Sequence, residues 1–328
     1  MILLLGASGY FGRAFASELR RRGHSFIPLT RQAFDYTRFD FLFDYLRTVR
    51  PAFVINAAGY CGDDSNAPED IAREKAMSAN ALLPQMIARV CLMTKIPWGH
   101  VSSGSIYKGV KVLENNRWRV EKDVTRRELV QEYSQSPDRF QGFTEIDEPN
   151  FSFRFPPCDF YNGTKALAEE AIREIGQSYI WRMREPFNER NEPCNLLGRL
   201  DYSGLSGLNS LSHLEDCVRA CLDLREYRAP FGIYNVVNPG AIDVGVISQQ
   251  LQRRRKLTRF ASTPIISQRA TRNSPTNCVL DASKLLKAGV KIRPLDEAIE
   301  DSLDRWESSA RRALQTERAF TEPSAILR

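Results

Sequence analysis

Residues 2–15 read ILLLGASGYFGRAF. The row Ile2–Leu5 is apolar without a break, as in a parallel strand buried on both faces. Gly6, Gly9 and Gly12 follow at GxxGxxG spacing. Phe11, Phe15, Ala16 and Leu19 then recur at helical spacing until Gly23 ends the run. Strand, glycine loop and helix in this order make a phosphate cradle. Gly6 permits the tight turn, Gly9 lets the backbone approach a pyrophosphate at the helix N-terminus, and Gly12 lets the helix lie close on the sheet. Ser8, Tyr10 and Phe11 sit in the same loop and are read with it as dinucleotide contacts. A glycine-rich turn without a ligand is the plainer alternative; the flanking strand and helix argue against it.

Working outward, short apolar runs alternate with amphipathic segments. Strands are expected at 25–29, 53–57, 98–102 and 178–182, and helices at 39–49, 69–95 and 161–175. This order means an α/β fold, a Rossmann-type doubly wound parallel sheet with helices on both faces. Residues 1–180 are assigned to it. Residues 108–147 interrupt the pattern as a polar insertion with one short helix near 126–133. Residues 181–316 form a smaller second part of shorter elements, some of whose segments return to the sheet. Leu295, Ile299, Leu303 and Trp306 mark a last amphipathic helix, and 317–328 is expected to be a loose tail.

The end of the second strand discriminates between dinucleotides. An acid there favours the 2′-hydroxyl of NAD, whereas an arginine accommodates a 2′-phosphate. The sequence is PLTRQAFD, with Arg31 directly after the strand and Asp35 placed for the adenine edge. NADP(H) is therefore expected over NAD(H), although Arg31 as a solvated loop cation is the competing reading. Ala57, Ala58 and Gly59 end the next strand in NAAG, small residues that leave room for a cofactor. Asn80, in the following helix, is assigned to the same site.

The chemistry rests on YNGTK at 161–165. Tyr161 and Lys165 fall at i and i+4, on one helix face. A phenol titrates near pH 10 in isolation, and a neighbouring lysine cation favours its ionised form. Ser103, in SSGSIY at a strand end, is the hydroxyl that can hold a substrate oxygen. YxxxK alone is common by chance; with the glycine loop upstream and a serine-tipped strand between, the set is specific.

With these residues in place the chain resembles the extended short-chain dehydrogenase/reductase family. The segments VINAAG, SSGSIY, GFTEIDEPNFSF, FYNGTKALAEEAI and GIYNVVNPG are similar to dTDP-4-dehydrorhamnose reductases and to nucleotide-sugar 3,5-epimerase/4-reductases. The resemblance implies Ser103, Tyr161 and Lys165 as the catalytic set, a nucleotide-sugar substrate and a substrate-binding role for residues 181–316. Ser105, Arg182, Arg184, Asn188, Arg199 and His213 are the candidates for substrate contact. It also exposes a departure. The bifunctional relatives carry a cysteine where this chain has Ser105, and a lysine or histidine where NLLGRL places Arg199. A serine hydroxyl is a far weaker acid than a thiol, and arginine stays protonated. Reduction without 3,5-epimerisation is the expectation, with Cys61 and Cys158 as the thiols that could substitute.

Bulk properties narrow the alternatives. The 328 residues carry a net charge of +6. The basic residues are dispersed, and the runs Arg20–Arg22 and Arg253–Lys256 fall at helix ends, where cations are favoured; nucleic acid is not expected. Nor is a membrane partner, because no apolar run was read as long enough to cross a bilayer. The seven cysteines show no CxxC spacing, so they are read as reduced thiols of a cytoplasmic protein, with no metal. A homodimer is compatible with the sequence. A nucleotide-sugar 4-epimerase or dehydratase with bound NAD is the second enzymatic reading. A dinucleotide-binding sensor without turnover is the third, disfavoured because Tyr161 and Lys165 are both kept.

Overall fold

β1 (Ile2–Leu5) is buried along its whole length, and its side chains divide by alternation. Leu3 and Leu5 join Val54, Ile87 and Ile180 in one core cluster, while Ile2 and Leu4 join Phe15, Trp181 and Val218 in another. These two clusters are the two faces of the sheet. The structure, a computed structural model, describes residues 1–60, 68–190, 192, 194–203, 206–258 and 276–306.

The chain continues through α1 (Tyr10–Arg21), β2 (Phe26–Leu29), α2 (Phe39–Val49), β3 (Phe53–Asn56), α3 (Glu69–Met77), α4 (Leu83–Thr94) and β4 (Trp98–Ser103). The insertion holds β5 (Val110–Glu114), β6 (Arg117–Glu121), α5 (Arg127–Gln135) and β7 (Phe140–Gln141). Then come α6 (Phe160–Ile172), β8 (Ser178–Met183), β9 (Pro186–Phe187), α7 (Leu196–Ser203), β10 (Leu208–Asn209), β11 (Ser212–His213), α8 (Leu214–Glu226) and β12 (Gly232–Asn235). The described chain closes with β13 (Ile242–Asp243), α9 (Val244–Thr258), α10 (Ser283–Lys287) and a helix over 295–306, α11.

Six strands form one parallel sheet in the order β12-β8-β4-β3-β1-β2. The order reverses at β1, so the glycine loop leaves the sheet at its switch point, where ligands of such sheets bind. β12 returns to the sheet from the second part of the chain and pairs with β8. The expected tail at 317–328 lies outside the described residues.

Three features depart from the expectations. The helical region 69–95 contains a π-turn at Ser78–Leu82, which carries Asn80 into the interior. This run, Glu69–Thr94, is long and apolar enough by composition to cross a membrane, and half of its most apolar window is buried inside the molecule. The expectation of no such stretch is corrected accordingly. The insertion is a three-stranded antiparallel sheet, β6-β5-β7. Its hairpin turns on Asn115 and Asn116, both at positive φ, a conformation that asparagine tolerates well. Val110 and Val112 point inward while β6 is mostly exposed, so only one strand carries an apolar pattern.

α6 is fixed to the sheet by buried polar contacts. Ser102 donates to Glu169, and Arg182 Nε and Nη2 lie 2.8 and 2.7 Å from Glu169 Oε2. Arg182 Nη1 donates to the Tyr107 hydroxyl at 2.9 Å, which in turn donates to the Asp147 carbonyl at 2.6 Å. Arg182 is buried and committed to these contacts. Alternation along β8 turns it toward α6, away from the side that carries Trp181 and Met183.

The loop glycines differ in how tightly they are held. A Cβ on Gly12 would come 2.0 Å from the Gly6 carbonyl oxygen, whereas one on Gly9 would meet its nearest neighbour at 3.3 Å. Gly12→Ala is expected to lower unfolding stability by roughly 2–3 kcal/mol, and Gly9→Ala by clearly less. Urea denaturation of the two variants checks the order.

Candidate active site

The cradle for a dinucleotide is assembled by close backbone approach. Gly6 has φ +76°, and a Cβ there would meet Ala58 N at 2.6 Å. Ala7 N donates to the Leu29 carbonyl and Gly9 N to the Gly6 carbonyl. Gly9 opens α1 with no side-chain cap, and no acidic side chain lies in the first turn to compete with a phosphate. These features fit a pyrophosphate. The Tyr10 hydroxyl is buried without a hydrogen-bond partner, and burial pushes its pKa up, so it stays neutral. Phe11 packs on the core beside α1. Ser8 gives its carbonyl to Arg13 Nη1 at 2.8 Å. Arg31 is exposed just beyond β2. Asp35 accepts from Thr37 N at 3.2 Å and from the Thr37 hydroxyl, which occupies its carboxylate within its own turn.

Beyond the loop, Asn56 is fully buried at the end of β3. Its Oδ1 accepts from Ala58 N at 3.1 Å and its Nδ2 lies 3.1 Å from His100 Nδ1. His100 is held well below the usual imidazole range, first by burial and then by the Lys165 cation, so it stays neutral. Asn80 clamps the next loop residue, accepting from Tyr60 N at 2.9 Å and donating to the Tyr60 carbonyl at 2.8 Å. Gly59 leaves the space between: a Cβ there would lie 3.3 Å from Asn80 Oδ1 and 3.6 Å from Lys165 Nζ.

The catalytic candidates lie on two neighbouring elements. Asp159 caps α6, its Oδ1 accepting from Asn162 N at 2.8 Å. This start places half-buried Tyr161 in the first turn and buried Lys165 one turn later. Lys165 Nζ lies 6.0 Å from the Tyr161 ring centroid and 3.5 Å from the Val101 carbonyl of β4. Ser103 ends β4 and caps the turn that follows, its Oγ accepting from Ser105 N at 3.1 Å. The Ser103 and Ser105 hydroxyls are 3.0 Å apart. Behind them, Arg184 Nη1 donates to Ser105 Oγ at 2.6 Å, and its Nε donates to Asn209 Oδ1 at 3.0 Å. Glu185 bridges two cations, with Oε1 3.2 Å from Arg184 Nη1 and Oε2 2.6 Å from Arg199 Nη2.

The remaining candidates are placed elsewhere. Asn188 is fully buried and organises its own loop, accepting from Arg190 N and Asn195 Nδ2 while donating to Glu215 Oε1. His213 is buried against Phe187, with Nδ1 3.3 Å from both Asp216 N and Asp216 Oδ2. Both are engaged by their own loop or helix start, and His213 Nε2 is buried without a hydrogen-bond partner. The reading of no metal-ligand cluster also needs correction in geometry: Glu189, His213 and Glu215 bring one ligand atom each within 4.8 Å of one another. Cys158 is raised by burial and by Asp159, so it is a protonated thiol. Cys61 lies outside the described residues. A cavity of about 780 Å³ on the other side of α6, lined by Phe153, Leu167 and Arg182, includes none of Ser103, Tyr161 or Lys165. Sequence reading did not include Asp159, Glu185 or Asn209. Of these only Asp159, an acid just before the apolar helix, carried a recognisable signal.

Fold and site together are those of an extended short-chain dehydrogenase/reductase. The chain belongs to the family described as RmlD substrate binding domain, whose model matches residues 1–194. A trifunctional UDP-glucose 4,6-dehydratase/UDP-4-keto-6-deoxy-D-glucose 3,5-epimerase/UDP-4-keto-L-rhamnose-reductase of Arabidopsis thaliana is 27% identical over 206 residues, 60% of this chain and 26% of that protein. Another such Arabidopsis protein is 23% identical over 304 residues, 90% of this chain and 40% of its own length. The chain thus spans well under half of these relatives. Among solved structures, the UDP-rhamnose synthase of Acanthamoeba polyphaga mimivirus superposes with a TM-score of 0.71 at 19% identity, covering 93% of this chain and 98% of that one. The dTDP-4-dehydrorhamnose reductase of Bacillus anthracis, in complex with NADP, gives 0.65 at 16% identity, covering 94% and 97%.

One acid-sensitive element borders this region. Burial pushes the Asp216 carboxyl up, but His213, Arg293 and Arg219 outweigh it and hold the group well below the usual carboxylate range. The unfolded carboxyl titrates near 3.9. The stabilisation is therefore complete above about pH 4 and disappears as pH falls toward the folded value. Asp216→Asn is expected to cost roughly 2–4 kcal/mol at neutral pH and to flatten the acid limb. Urea midpoints measured from pH 7 down to pH 3 check both.

Proposed function

We propose that this chain is an NADPH-dependent reductase of a nucleotide-linked 4-keto-6-deoxy sugar and that it does not epimerise carbons 3 and 5. The observation that carries the reading is the meeting of β4 and α6. Ser103 stands at a strand end beside a helix that presents Tyr161, with Lys165 between the two elements. The family membership and the reductases among its relatives support the substrate class.

The nicotinamide, when bound, supplies the reducing equivalent for the ketone. Gly6, Gly9 and Gly12 would hold its pyrophosphate and Arg31 its 2′-phosphate, with Asn80 and Lys165 toward the nicotinamide. Ser103 donates a hydrogen bond to the C4 oxygen and orients it. Tyr161 delivers the proton that turns this oxygen into a hydroxyl. Lys165 holds a positive charge near the phenolate left behind. The segments after β8 cover the carboxyl ends of the strands and take the nucleotide sugar. Epimerisation needs an acid and a base that exchange protons near working pH. Ser105 is a hydroxyl tied to Arg184, and Arg199 is paired with Glu185. Neither can serve.

Tyr161→Phe is expected to bind NADPH normally and to lose turnover about 10²-fold or more, with a 4-keto-6-deoxy nucleotide sugar as substrate. In deuterated water without NADPH, the wild type is expected to leave C3 and C5 of that sugar unexchanged by NMR. Uptake at both carbons would show that another residue performs the proton transfers.

Cofactor preference is tested separately. Wild type is expected to bind NADPH more tightly than NADH, and Arg31→Ala to weaken NADPH about tenfold by loss of one charge-assisted contact, leaving NADH unchanged. Fluorescence titration of both cofactors decides it; equal wild-type affinities contradict the assignment of Arg31.

A further inference from the structure

We infer that Ser105 and Arg184 are positioning residues that orient and polarise the Ser103 hydroxyl toward the carbonyl oxygen, an inference that rests on the reductase reading above. The observation is the unbroken path Arg184 Nη1 to Ser105 Oγ, 2.6 Å, then Ser105 Oγ to Ser103 Oγ, 3.0 Å.

The direction of the path follows from what each group can donate. A guanidinium has only donors and remains charged. Ser105 Oγ must therefore accept from Arg184, and its own proton is left over. With no carbonyl present, Ser103 donates to Ser105. Once Ser103 turns its single proton to a carbonyl oxygen, the 3.0 Å contact persists only if Ser105 donates back. Ser105 can do so because Arg184 never requires its proton. Ser103 then accepts from both the amide and the hydroxyl of Ser105, and its donor has one direction left.

Arg184 is built into this place. It is 1% exposed, and Asn209 holds its Nε. Glu185 adds a contact from a backbone at φ +35°, a left-handed conformation that costs a non-glycine residue energy and persists because its surroundings impose it. A buried cation two hydroxyls behind a developing oxyanion is worth most when the charge appears, that is, in the transition state. The balance of the reaction is unaltered. C4 takes a hydride from NADPH, its oxygen takes the Tyr161 proton, and Ser103 and Ser105 keep theirs.

The test uses the full chain with NADPH and two probes, dTDP-4-dehydrorhamnose and UDP-4-keto-L-rhamnose. Ser105→Ala is expected to lower kcat about tenfold with KM within about twofold, the pattern of an interaction made in the transition state. Ser105→Thr, which keeps the hydroxyl, should restore kcat. NADPH deuterated at the transferred position should give a larger isotope effect on kcat in Ser105→Ala than in wild type, and NADPH affinity by fluorescence should not change. Arg184→Met should lower kcat similarly, and the double variant should be no slower than the slower single one, as for residues acting through one path. An unchanged kcat in Ser105→Ala, or a loss that Ser105→Thr does not restore, overturns the inference even if Arg184→Met fails to fold. If Tyr161→Phe abolishes turnover while Ser105→Ala does not reduce it, the relay falls and the reductase reading stands. Turnover of neither sugar by the wild type overturns both.

Discussion

Glu169 and Arg182 meet with side chains 4% and 3% exposed, and the rest of the site is registered against that contact. Glu169 lies one turn beyond Lys165 on α6. Arg182 is on β8, and Ser102, which also reaches Glu169, immediately precedes Ser103 on β4. One carboxylate thus ties the helix carrying Tyr161 to the strand carrying Ser103. Tyr107 and Asp147 extend the tie to the insertion. Two buried charges recover their desolvation only with good geometry and further hydrogen bonds, and well-packed apolar residues would often be as stable. What apolar packing lacks is direction. A fork of three donors aimed at one carboxylate and one hydroxyl fixes the rotation and height of α6, and so the placement of Tyr161 relative to Ser103 on which the proposed transfer depends.

Charge just beyond the carboxyl end of β8 is arranged differently. Arg184 and Arg199 share the single carboxylate Glu185, so this corner holds two cations and one anion. Such an excess suits the proposed site, where negative charge develops on an oxygen. It offers no base, because a guanidinium has only donors and the one carboxylate is paired with two of them. His100 is kept neutral by burial and by Lys165 and is turned to Asn56. In the proposed mechanism this leaves Tyr161 as the proton carrier.

The glycine loop, Tyr161, Lys165 and Ser103 were legible in the sequence because their requirements lie in the backbone or in fixed helical spacing. A glycine at a tight turn and an i,i+4 pair need no knowledge of distant neighbours. Arg182, Asn188 and His213 were not legible for the opposite reason. The direction of Arg182 depends on strand alternation, since Met183, next to it, faces the other cluster. Asn188 and His213 are polar residues in a segment expected to meet substrate, yet each is committed to its own loop or helix start. The β5–β6 hairpin was missed because β6 reads RWRVE, with nearly every residue exposed. Only the Asn115–Asn116 turn announces it. The π-turn at Ser78–Leu82 has no local sequence signal, yet it sets the inward aim of Asn80.

Ser105 shows how one position can exclude one chemistry and support another. As a replacement for a thiol it cannot exchange protons with carbon near neutral pH. As a hydroxyl it can accept from a guanidinium and donate to a second hydroxyl, which a thiol does poorly because sulfur is a weak donor and acceptor. The 2.6 Å contact from Arg184 and the 3.0 Å contact to Ser103 fit oxygen rather than the larger sulfur atom. Arginine at 184 and serine at 105 therefore make sense as a pair. The cation would lower the pKa of a thiol in its place, and the serine turns the same field into orientation of its neighbour. Arg199 completes the change, since it holds Glu185, and Glu185 holds Arg184. The residues that depart from the bifunctional pattern are joined in one hydrogen-bonded chain ending at Ser103. In the proposed reading, the missing proton-exchange pair and the oriented Ser103 hydroxyl are two consequences of the same set of contacts.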